Sequence, residues 1–229
     1  MSGRPKLHIA PIKATDARKA CARWHYSRTM PAGKSICFGV WEGGKFSGAI
    51  VFSYGANHNI GAPFQMPKGA AVELCRVALA PWHVWETSRA CSIAIRMFRK
   101  ANTQVRLLVS YADSSEGHHG GIYKAMGWIC TGVSKTDVWR INGKRTHARA
   151  YTGAQFGDPS KKAKVRGELK ITKGVIKYRY ALALDDLTAA RVEAMRQPAP
   201  EAGDGRDQRH SGGAAPTLGL SANAGGSCG

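Results

Sequence analysis

One stretch of the sequence, SYADSSEGHHGGIYKAMGW at residues 110–128, concentrates side chains that could do chemistry. Asp113 and Ser114 follow an apolar run, where the carboxylate could serve as a base or orienting group, or could equally cap a helix. Tyr123 could donate a proton to a leaving group, although a tyrosine on an apolar helical face usually belongs to the core. The stretch therefore holds candidates for acid–base catalysis, with a packing alternative for each.

The middle of the same stretch is rich in glycine and histidine. Gly117 and Gly120 favour either a loop whose backbone approaches a ligand closely or a tight turn between a strand and a helix. His118 is a candidate for substrate contact. Zinc needs three or four protein ligands, and adjacent histidines point in different directions, so we predict no metal site here.

Two further places carry polar residues in an apolar context. His25 and Tyr26 end the first predicted helix; His25 could accept a proton near neutral pH or could cap the helix. Glu73 and Arg76 lie on a predicted central strand, which tolerates charges only when they are paired or functional. Both readings of this pair, a structural ion pair and a ligand contact by Arg76, stay open.

The charge of the chain is strongly positive. It carries 34 Lys and Arg against 15 Asp and Glu, a net +19, which favours a polyanionic partner, DNA or RNA before a membrane. The alternative is a solvated charged face. The residues that we predict to follow a phosphate backbone are Lys144, Arg145, Arg149, Lys161, Lys162, Lys164 and Arg166.

The remaining totals favour a soluble protein of a reducing cytosol. The six cysteines contain no CxxC pair, and five sit among apolar residues, as reduced core thiols do. The N-terminus lacks the apolar run of a signal peptide, and no stretch is long and apolar enough to span a membrane.

The periodicity predicts a mixed α/β single domain over residues 1–196 and a disordered tail over 197–229. Strand and helix patterns alternate as β-α-β-β-β-α-β-α-β-β, with hairpin turns at EGGK and at Asn142-Gly143. Helix N-caps are predicted at Thr15 or Asp16 and at Asp185 or Asp186. The tail is rich in Gly, Ala, Pro and Ser and lacks the apolar residues that could offset the entropy of ordering.

The element order and the segment GGIYKAMGW resemble the GNAT-type N-acyltransferases. In that superfamily a short helix carries a tyrosine followed by a Gly-aromatic pair, and Tyr123, Gly127 and Trp128 stand at that spacing. The resemblance implies a mostly antiparallel central sheet flanked by helices.

A wider set of segments resembles, in sequence and order, the phage Mom family of DNA-adenine modification proteins. These segments, within residues 7–185, are HYSRTMPAGKSICFGVWE, ELCRVAL, ETSR and the stretch at 110–128. The resemblance implies a transferase that adds a carbamoylmethyl (acetamido) group to N6 of a flipped adenine in double-stranded phage DNA. It also implies protection from host restriction endonucleases, in the host cytoplasm. His25, Tyr26, Asp113, Ser114 and Tyr123 are then the candidate catalytic residues.

The donor of the transferred group is the point at which the sequence departs from GNAT enzymes. Those enzymes bind the pyrophosphate of acyl-CoA with a glycine-containing loop, whereas the equivalent segment here, WHVWETSRAC, has no glycine. A helix N-terminus can still bind phosphate. The expected cofactor is acyl-CoA or an activated glycyl donor such as glycyl-tRNA. The candidate cofactor-binding residues are Arg76, Thr87, Ser88, Arg89, Gly117, His118 and Gly120.

Two other functions remain open at this stage. A conventional GNAT acetyltransferase would act on a protein, a tRNA or a small-molecule amine. A non-catalytic DNA-binding module would use the positive charge alone. An adenine methyltransferase is disfavoured, because the sequence has neither a D/N-P-P-Y/F motif nor a Rossmann-type glycine loop.

Overall fold

The computed structural model describes residues 3–31, 33–54, 59–146 and 168–200. The helices in these ranges are α1 Ala14–Trp24, α2 Thr87–Ala101, α3 Gly121–Ala125 and α4 Asp186–Glu193. The strands there are β1 Leu7–Ile12, β2 Ser35–Glu42, β3 Lys45–Ser53, β4 Ala71–Leu79, β5 Leu107–Asp113, β6 Ile129–Ile141, β7 Lys144–Thr146 and β8 Leu169–Ala183.

The described strands form one sheet in the order β1-β2-β3-β4-β5-β8-β6-β7. All neighbours are antiparallel except β4 and β5. The predicted fold class, a mixed and mostly antiparallel sheet flanked by helices, is confirmed. β8 enters between β5 and β6, so a strand from late in the chain completes the middle of the sheet.

Both predicted hairpin turns are confirmed. Gly43 and Gly44 join β2 to β3 with φ of +56° and +82°. Asn142 and Gly143 join β6 to β7 with φ of +48° and +74°. Positive φ at both central positions gives the turn the twist of the flanking strands, which is why Gly and Asn occupy such positions.

The helix caps follow the sequence at one helix and depart from it at another. Asp185 caps α4 and accepts a hydrogen bond from the Thr188 N–H (2.9 Å), as predicted. The predicted cap of α1 is wrong: the helix begins at Ala14 after Lys13, whose carbonyl accepts from the N–H of Asp16 and Ala17. Because the Lys13 carbonyl already accepts these bonds, Asp16 lies in the first turn, where a negative charge favours the helix dipole.

Helices cover both faces of the sheet. Alternate β5 residues divide between them: Leu108 and Ala112 pack in the cluster that includes Phe98 of α2, and Leu107 and Val109 pack in the cluster that includes Val192 of α4. α1 packs on the face opposite α2, against a cluster with Ala49, Val51 and Ala78. The sheet therefore has an α2/α3 face and an α1/α4 face.

Five cysteines lie within the described residues. Cys21, Cys37, Cys75, Cys91 and Cys130 are free thiols, and all but Cys75 are buried, as predicted for the described residues. Beyond the proposed boundary at residue 196, the Gln197 N–H donates to the Cys130 carbonyl (2.8 Å), so residues 197–200 still contact the domain. No helix within the described part of the chain is long and apolar enough to cross a membrane.

Candidate active site

The candidate site begins where β4 and β5 separate. The two strands pair only over Ala71–Glu73 and Leu107–Val109. β4 also carries a bulge, because Val51 pairs with Arg76 and Phe52 with Leu74, which leaves Cys75 as the extra residue. A short parallel pairing followed by divergence opens the sheet next to the carboxyl end of β5.

Asp113 lies at that carboxyl end and is almost fully buried, at 1% exposure. Its Oδ1 accepts from the Ser115 N–H (3.1 Å) and hydroxyl (2.7 Å). Its Oδ2 accepts from Arg145 Nη2 at 2.6 Å and lies 3.9 Å from the ammonium of Lys177. Asp113 thus caps the turn at Ser114–Glu116, as one interpretation of the sequence predicted, and also lies against two cations. Its role in a reaction stays a prediction.

The environment of Asp113 keeps it ionised. Burial alone would raise the pKa of its carboxyl, but the hydrogen bonds from Ser115 and Arg145 and the charges of Arg145 and Lys177 together lower it. A carboxylate held in this way is a weak proton acceptor. Asp113 is therefore better suited to orienting Arg145 and Lys177 than to removing a proton itself.

Arg145 joins the β6–β7 hairpin to this cluster. Besides Asp113, it donates to Glu116 Oε1 (3.3 Å), which also accepts from Arg140 (3.2 Å). Its guanidinium carbon lies 5.4 Å from the centre of the Tyr26 ring. Predicted as a phosphate contact, Arg145 is instead turned inward here, with 18% of its side chain exposed.

His25 and Tyr26 form the rim of the site, at the end of α1. His25 is the C-cap residue, and its Nδ1 accepts from the Ser27 N–H (3.1 Å). Burial, followed by the charges of Arg76, His118 and Arg145, lowers the pKa of His25 to about 3, so the ring is neutral. Tyr26 is 37% exposed, with its ring 4.2 Å from that of His25 and edge-on to His118 at 5.5 Å. The structure thus brings together three predicted site residues from two loops.

Glu73 and Arg76 contribute the β4 side. Arg76 donates to the carbonyl oxygens of Thr29 (2.9 Å) and Cys75 (2.8 Å), which ties the loop after α1 to the bulge. Burial raises the pKa of Glu73, although the charges of Arg76 and Lys177 act against it. Arg76 therefore has a clear structural role, and its predicted cofactor contact stays a prediction.

Tyr123 lies on the other face of the sheet from Asp113. It is 8% exposed, and its hydroxyl oxygen is 2.7 Å from Ser110 Oγ, which is itself 2.7 Å from the Leu74 carbonyl oxygen. The rings of Trp128 and Tyr180 lie 5.2 Å and 5.1 Å away. Burial raises the pKa of the Tyr123 phenol. A phenol of this kind gives up its proton only to a strongly basic group, and its predicted role as an acid stays a prediction.

The two predicted ligand-contacting glycines differ in their surroundings. Gly120 has φ +85° and begins α3; a Cβ there would meet the Tyr180 ring at 2.2 Å. Gly117 has φ +71°, and its added Cβ would meet no atom within 4 Å. At Gly120 the close neighbour is a side chain of the protein, whereas the space beside Gly117 is open to a ligand.

The predicted donor site at the start of α2 is separate from this cluster. The guanidinium of Arg89 lies 4.7 Å from the centre of the Trp85 ring, and that of Arg4 lies 5.2 Å from it. Arg4 also pairs with Glu86 (2.6 Å). Among the described residues, no hydrogen bond or ion pair joins Thr87, Ser88 or Arg89 to Asp113 or Arg145. Their phosphate contact stays a prediction.

The remaining predicted DNA contacts fall partly beyond the described ranges. Lys144 is exposed at the start of β7, next to Arg145. Five predicted contacts lie outside the described residues: Arg149, Lys161, Lys162, Lys164 and Arg166. Within the described ranges no group of three or more His, Cys, Asp or Glu side chains could hold a metal ion.

Residues 6–201 match the sequence model of the Mom protein family. The chain belongs to the Mom family. One relative, the methylcarbamoylase mom of Escherichia phage Mu, is 26% identical over 150 residues, which is 63% of this chain and 61% of that protein. The chain thus matches about three-fifths of that relative's length. The family match over residues 6–201 includes the described sheet and the Asp113 cluster.

Solved acetyltransferases share a distant likeness with this Mom-family chain. A GNAT-family acetyltransferase from Streptococcus pneumoniae is 12% identical with a TM-score of 0.46, covering 78% of this chain and 100% of that one. The ribosomal-protein-S5-alanine acetyltransferase from Vibrio fischeri is also 12% identical with a TM-score of 0.46, covering 81% of this chain and 99% of that one.

Sequence reasoning missed four residues that organise the site: Ser110, Glu116, Arg140 and Lys177. Lys177 lies in a basic run, which the sequence predicts to be either a phosphate-binding surface or a solvated charged face. The signal that could have found it is the alternation of GVIKYRYALAL, which places Lys177 on the same face of the strand as the buried Val175 and Ala181.

Proposed function

We propose that this chain is a transferase that adds a carbamoylmethyl (acetamido) group to N6 of adenine in double-stranded phage DNA. The observation that carries the proposal is membership of the Mom family, with a relative described as a methylcarbamoylase. The consequence of the reaction is DNA that host restriction endonucleases do not cut, and the place of action is the cytoplasm of the host.

The charge of the chain supports a DNA substrate. A net charge of +19 attracts a phosphate backbone and holds it by release of counterions. N6 of adenine is paired within a duplex and is a poor nucleophile because its lone pair is conjugated with the ring. The enzyme therefore has to extrude the base into its site, as other enzymes that modify bases do.

The site supports reaction in the opening beside the end of β5. The Asp113 carboxylate holds Arg145, the Arg145 guanidinium lies over the Tyr26 ring, and His25 and His118 flank that ring. We assign the extruded adenine to this opening, with the Asp113 carboxylate fixing the surrounding cations. A catalytic role of Ser114, the next residue, belongs to the same proposal. The acid role of Tyr123 belongs to the same proposal and requires a strongly basic leaving group on the donor.

The donor in this proposal is an activated glycyl group, such as that of glycyl-tRNA; acyl-CoA is the alternative. The product joins N6 to a CH2 rather than a carbonyl, so simple acylation cannot form it. If N6 attacks the glycyl carbonyl, the donor leaves and an amide forms. The glycine amine then attacks ring C6, and the original exocyclic nitrogen departs from C6 as the terminal amide. Adenine labelled with 15N at the exocyclic position tests this route, which is wrong if the label stays on C6.

Nucleoside mass spectrometry of plasmid DNA tests the function itself. We expect DNA from cells expressing the full chain to contain an adenine nucleoside heavier by C2H3NO, and DNA from cells with an empty vector to lack it. Unmodified DNA despite full expression overturns the proposal. An acetyl group on a protein, tRNA or small amine in the same cells would point to a conventional acetyltransferase.

A further inference from the structure

Lys177 is a half-buried cation in the middle of the sheet, next to Asp113. It lies directly opposite Asp113 in the β5–β8 register and opposite Ser134 in the β6–β8 register. Its side chain is 28% exposed, and its ammonium lies 3.9 Å from Asp113 Oδ2. That separation is an electrostatic contact and too long for a hydrogen bond.

The other cations of the site already have hydrogen-bond partners. Arg145 donates to Asp113 and Glu116, and Arg76 donates to two backbone carbonyls. Lys177, in contrast, makes no hydrogen bond to any described residue. An ammonium group has three N–H donors, and leaving all of them unsatisfied in a half-buried position is unfavourable. Within the part of the chain that the structure describes, Lys177 is thus the cation of this cluster whose N–H donors have no hydrogen-bond acceptor and can meet a bound group.

The position of Lys177 argues against a contact between its ammonium group and the DNA backbone. Lys170 and Lys173 lie on the same strand and are exposed, as a phosphate-binding lysine is. Lys177 instead reaches inward, to the level of the buried Asp113 carboxylate. An oxygen that meets its ammonium has to enter the site with the reacting groups.

We infer that Lys177 donates to the carbonyl oxygen of the transferred group and stabilises the negative charge that develops there. This assignment rests on the proposed function. As N6 bonds to the carbonyl carbon, the C=O π electrons move to the oxygen, where the ammonium holds them. They return as the bond to the donor's leaving group breaks, and the leaving group takes up a proton equivalent to the one that N6 loses. Lys177 keeps its own proton throughout.

A specific dependence on alkaline pH follows. Burial lowers the pKa of Lys177, as do the charges of Arg145 on β7 and Arg76 on β4, while Asp113 on β5 and Glu73 on β4 act in the opposite direction. Because the net effect lowers the pKa, the ammonium charge is lost at a lower pH than for an ordinary lysine. Modification should therefore fall as the pH rises through that pKa.

The first test compares Lys177→Met with Lys170→Met on the same strand. Plasmid DNA from cells expressing each full-length variant is assayed for the nucleoside carrying C2H3NO. Removing one donor to a developing oxyanion typically costs about 10²–10³-fold, so we expect that loss for Lys177→Met and wild-type levels for Lys170→Met. Wild-type modification by a folded Lys177→Met protein overturns the inference. Absence of the nucleoside with the wild-type chain instead contradicts the proposed function.

Binding to a duplex oligonucleotide over a range of salt concentrations separates a phosphate contact from an oxyanion contact. We expect Lys177→Met to bind DNA with unchanged affinity and unchanged salt dependence. A weaker affinity with a salt slope reduced by about 1 would assign Lys177 to a DNA phosphate and overturn the inference.

Lys177→Arg tests the inference even if the Lys177→Met protein does not fold. Arginine keeps its charge at any pH at which the protein is folded. With purified protein, plasmid DNA and a clarified lysate of non-expressing cells as the donor source, we expect Lys177→Arg to retain part of the activity and to move the alkaline limb to higher pH. An alkaline limb that stays at the wild-type position contradicts the assignment.

Discussion

The two faces of β5 show how differently one strand can use its polar residues. On the α2/α3 face, Ser110 and Tyr123 share a hydrogen bond within a mainly apolar cluster. On the α1/α4 face, Asp113 accepts from Ser115 and Arg145 next to a partly exposed Tyr26. Polar groups on the first face hold the sheet together, whereas those on the second gather cations around an opening. The predictions below test this division.

The largest effect is expected from Asp113→Asn. The amide cannot neutralise Arg145 and Lys177, so the cations lose the group that orients them. We expect modification of plasmid DNA to fall by about 10²–10³-fold in the nucleoside assay. Asp186→Asn, an exposed carboxylate in the first turn of α4, is the matched control and should modify DNA as the wild type does. Equal activity of the two variants would show that Asp113 has no part in the reaction.

Gly120→Ala should destabilise the packing on the α2/α3 face of the sheet. The added methyl group would clash with the Tyr180 ring, and the residue would keep an unfavourable positive φ. We expect the free energy of unfolding, measured with urea, to fall by about 3 kcal/mol. Gly117→Ala has the same backbone strain without the clash, so its loss should be about 1 kcal/mol. A larger stability loss at Gly117 would contradict this account of the two glycines.

Tyr123→Phe tests whether the α2/α3 face of the sheet takes part in catalysis. If the phenol gives its proton to the leaving group, modification falls by about 10²-fold, and this is the result we expect. Ser110→Ala removes the same hydrogen bond and keeps the phenol. We expect it to lower stability by about 1 kcal/mol while DNA modification continues. Equal losses of modification in both variants would show that Tyr123 acts only through packing.

The smallest effect concerns acid stability. The folded-state pKa of Asp113 is lowered, so its contribution to stability is complete above the unfolded-state pKa and is lost as the pH falls through the folded value. Urea unfolding of the wild type should therefore weaken between about pH 5 and pH 2 more steeply than that of Asp113→Asn. Parallel curves for the two proteins would show that the ion pairs of Asp113 do not stabilise the fold.

Local patterns account for the parts of the fold that the sequence predicted. The Asn142-Gly143 turn, the Asp185 cap and the central position of β4 each depend on a few neighbouring residues, and all three are confirmed. The predicted α1 cap was wrong because the helix begins after Lys13, which makes no side-chain cap hydrogen bond, so its residue type does not mark the start of the helix. The bulge at Cys75 has no local signature, since it depends on the register between β3 and β4.

The sequence singled out several residues that lie together in the candidate site, but it did not predict the contacts between them. Their roles stay predictions. His25, Tyr26, Asp113 and His118 lie near one another, and each is recognisable in the sequence as a polar side chain beside an apolar segment or a glycine-rich turn. Arg145 lies 32 positions after Asp113, and the ion pair between them depends on how the β6–β7 hairpin folds over the end of β5. No rule of spacing along the chain provides that contact.

The three-residue pairing between β4 and β5 also divides the molecule kinetically. β1 to β4 are neighbours in the sheet in the order in which they occur in the chain, so each pairing in their half joins consecutive strands. The other half has to wait for β8, which inserts between strands made much earlier and closes a long loop. Since Asp113, Lys177 and Arg145 all belong to that second half, we expect the candidate site to be completed late in folding.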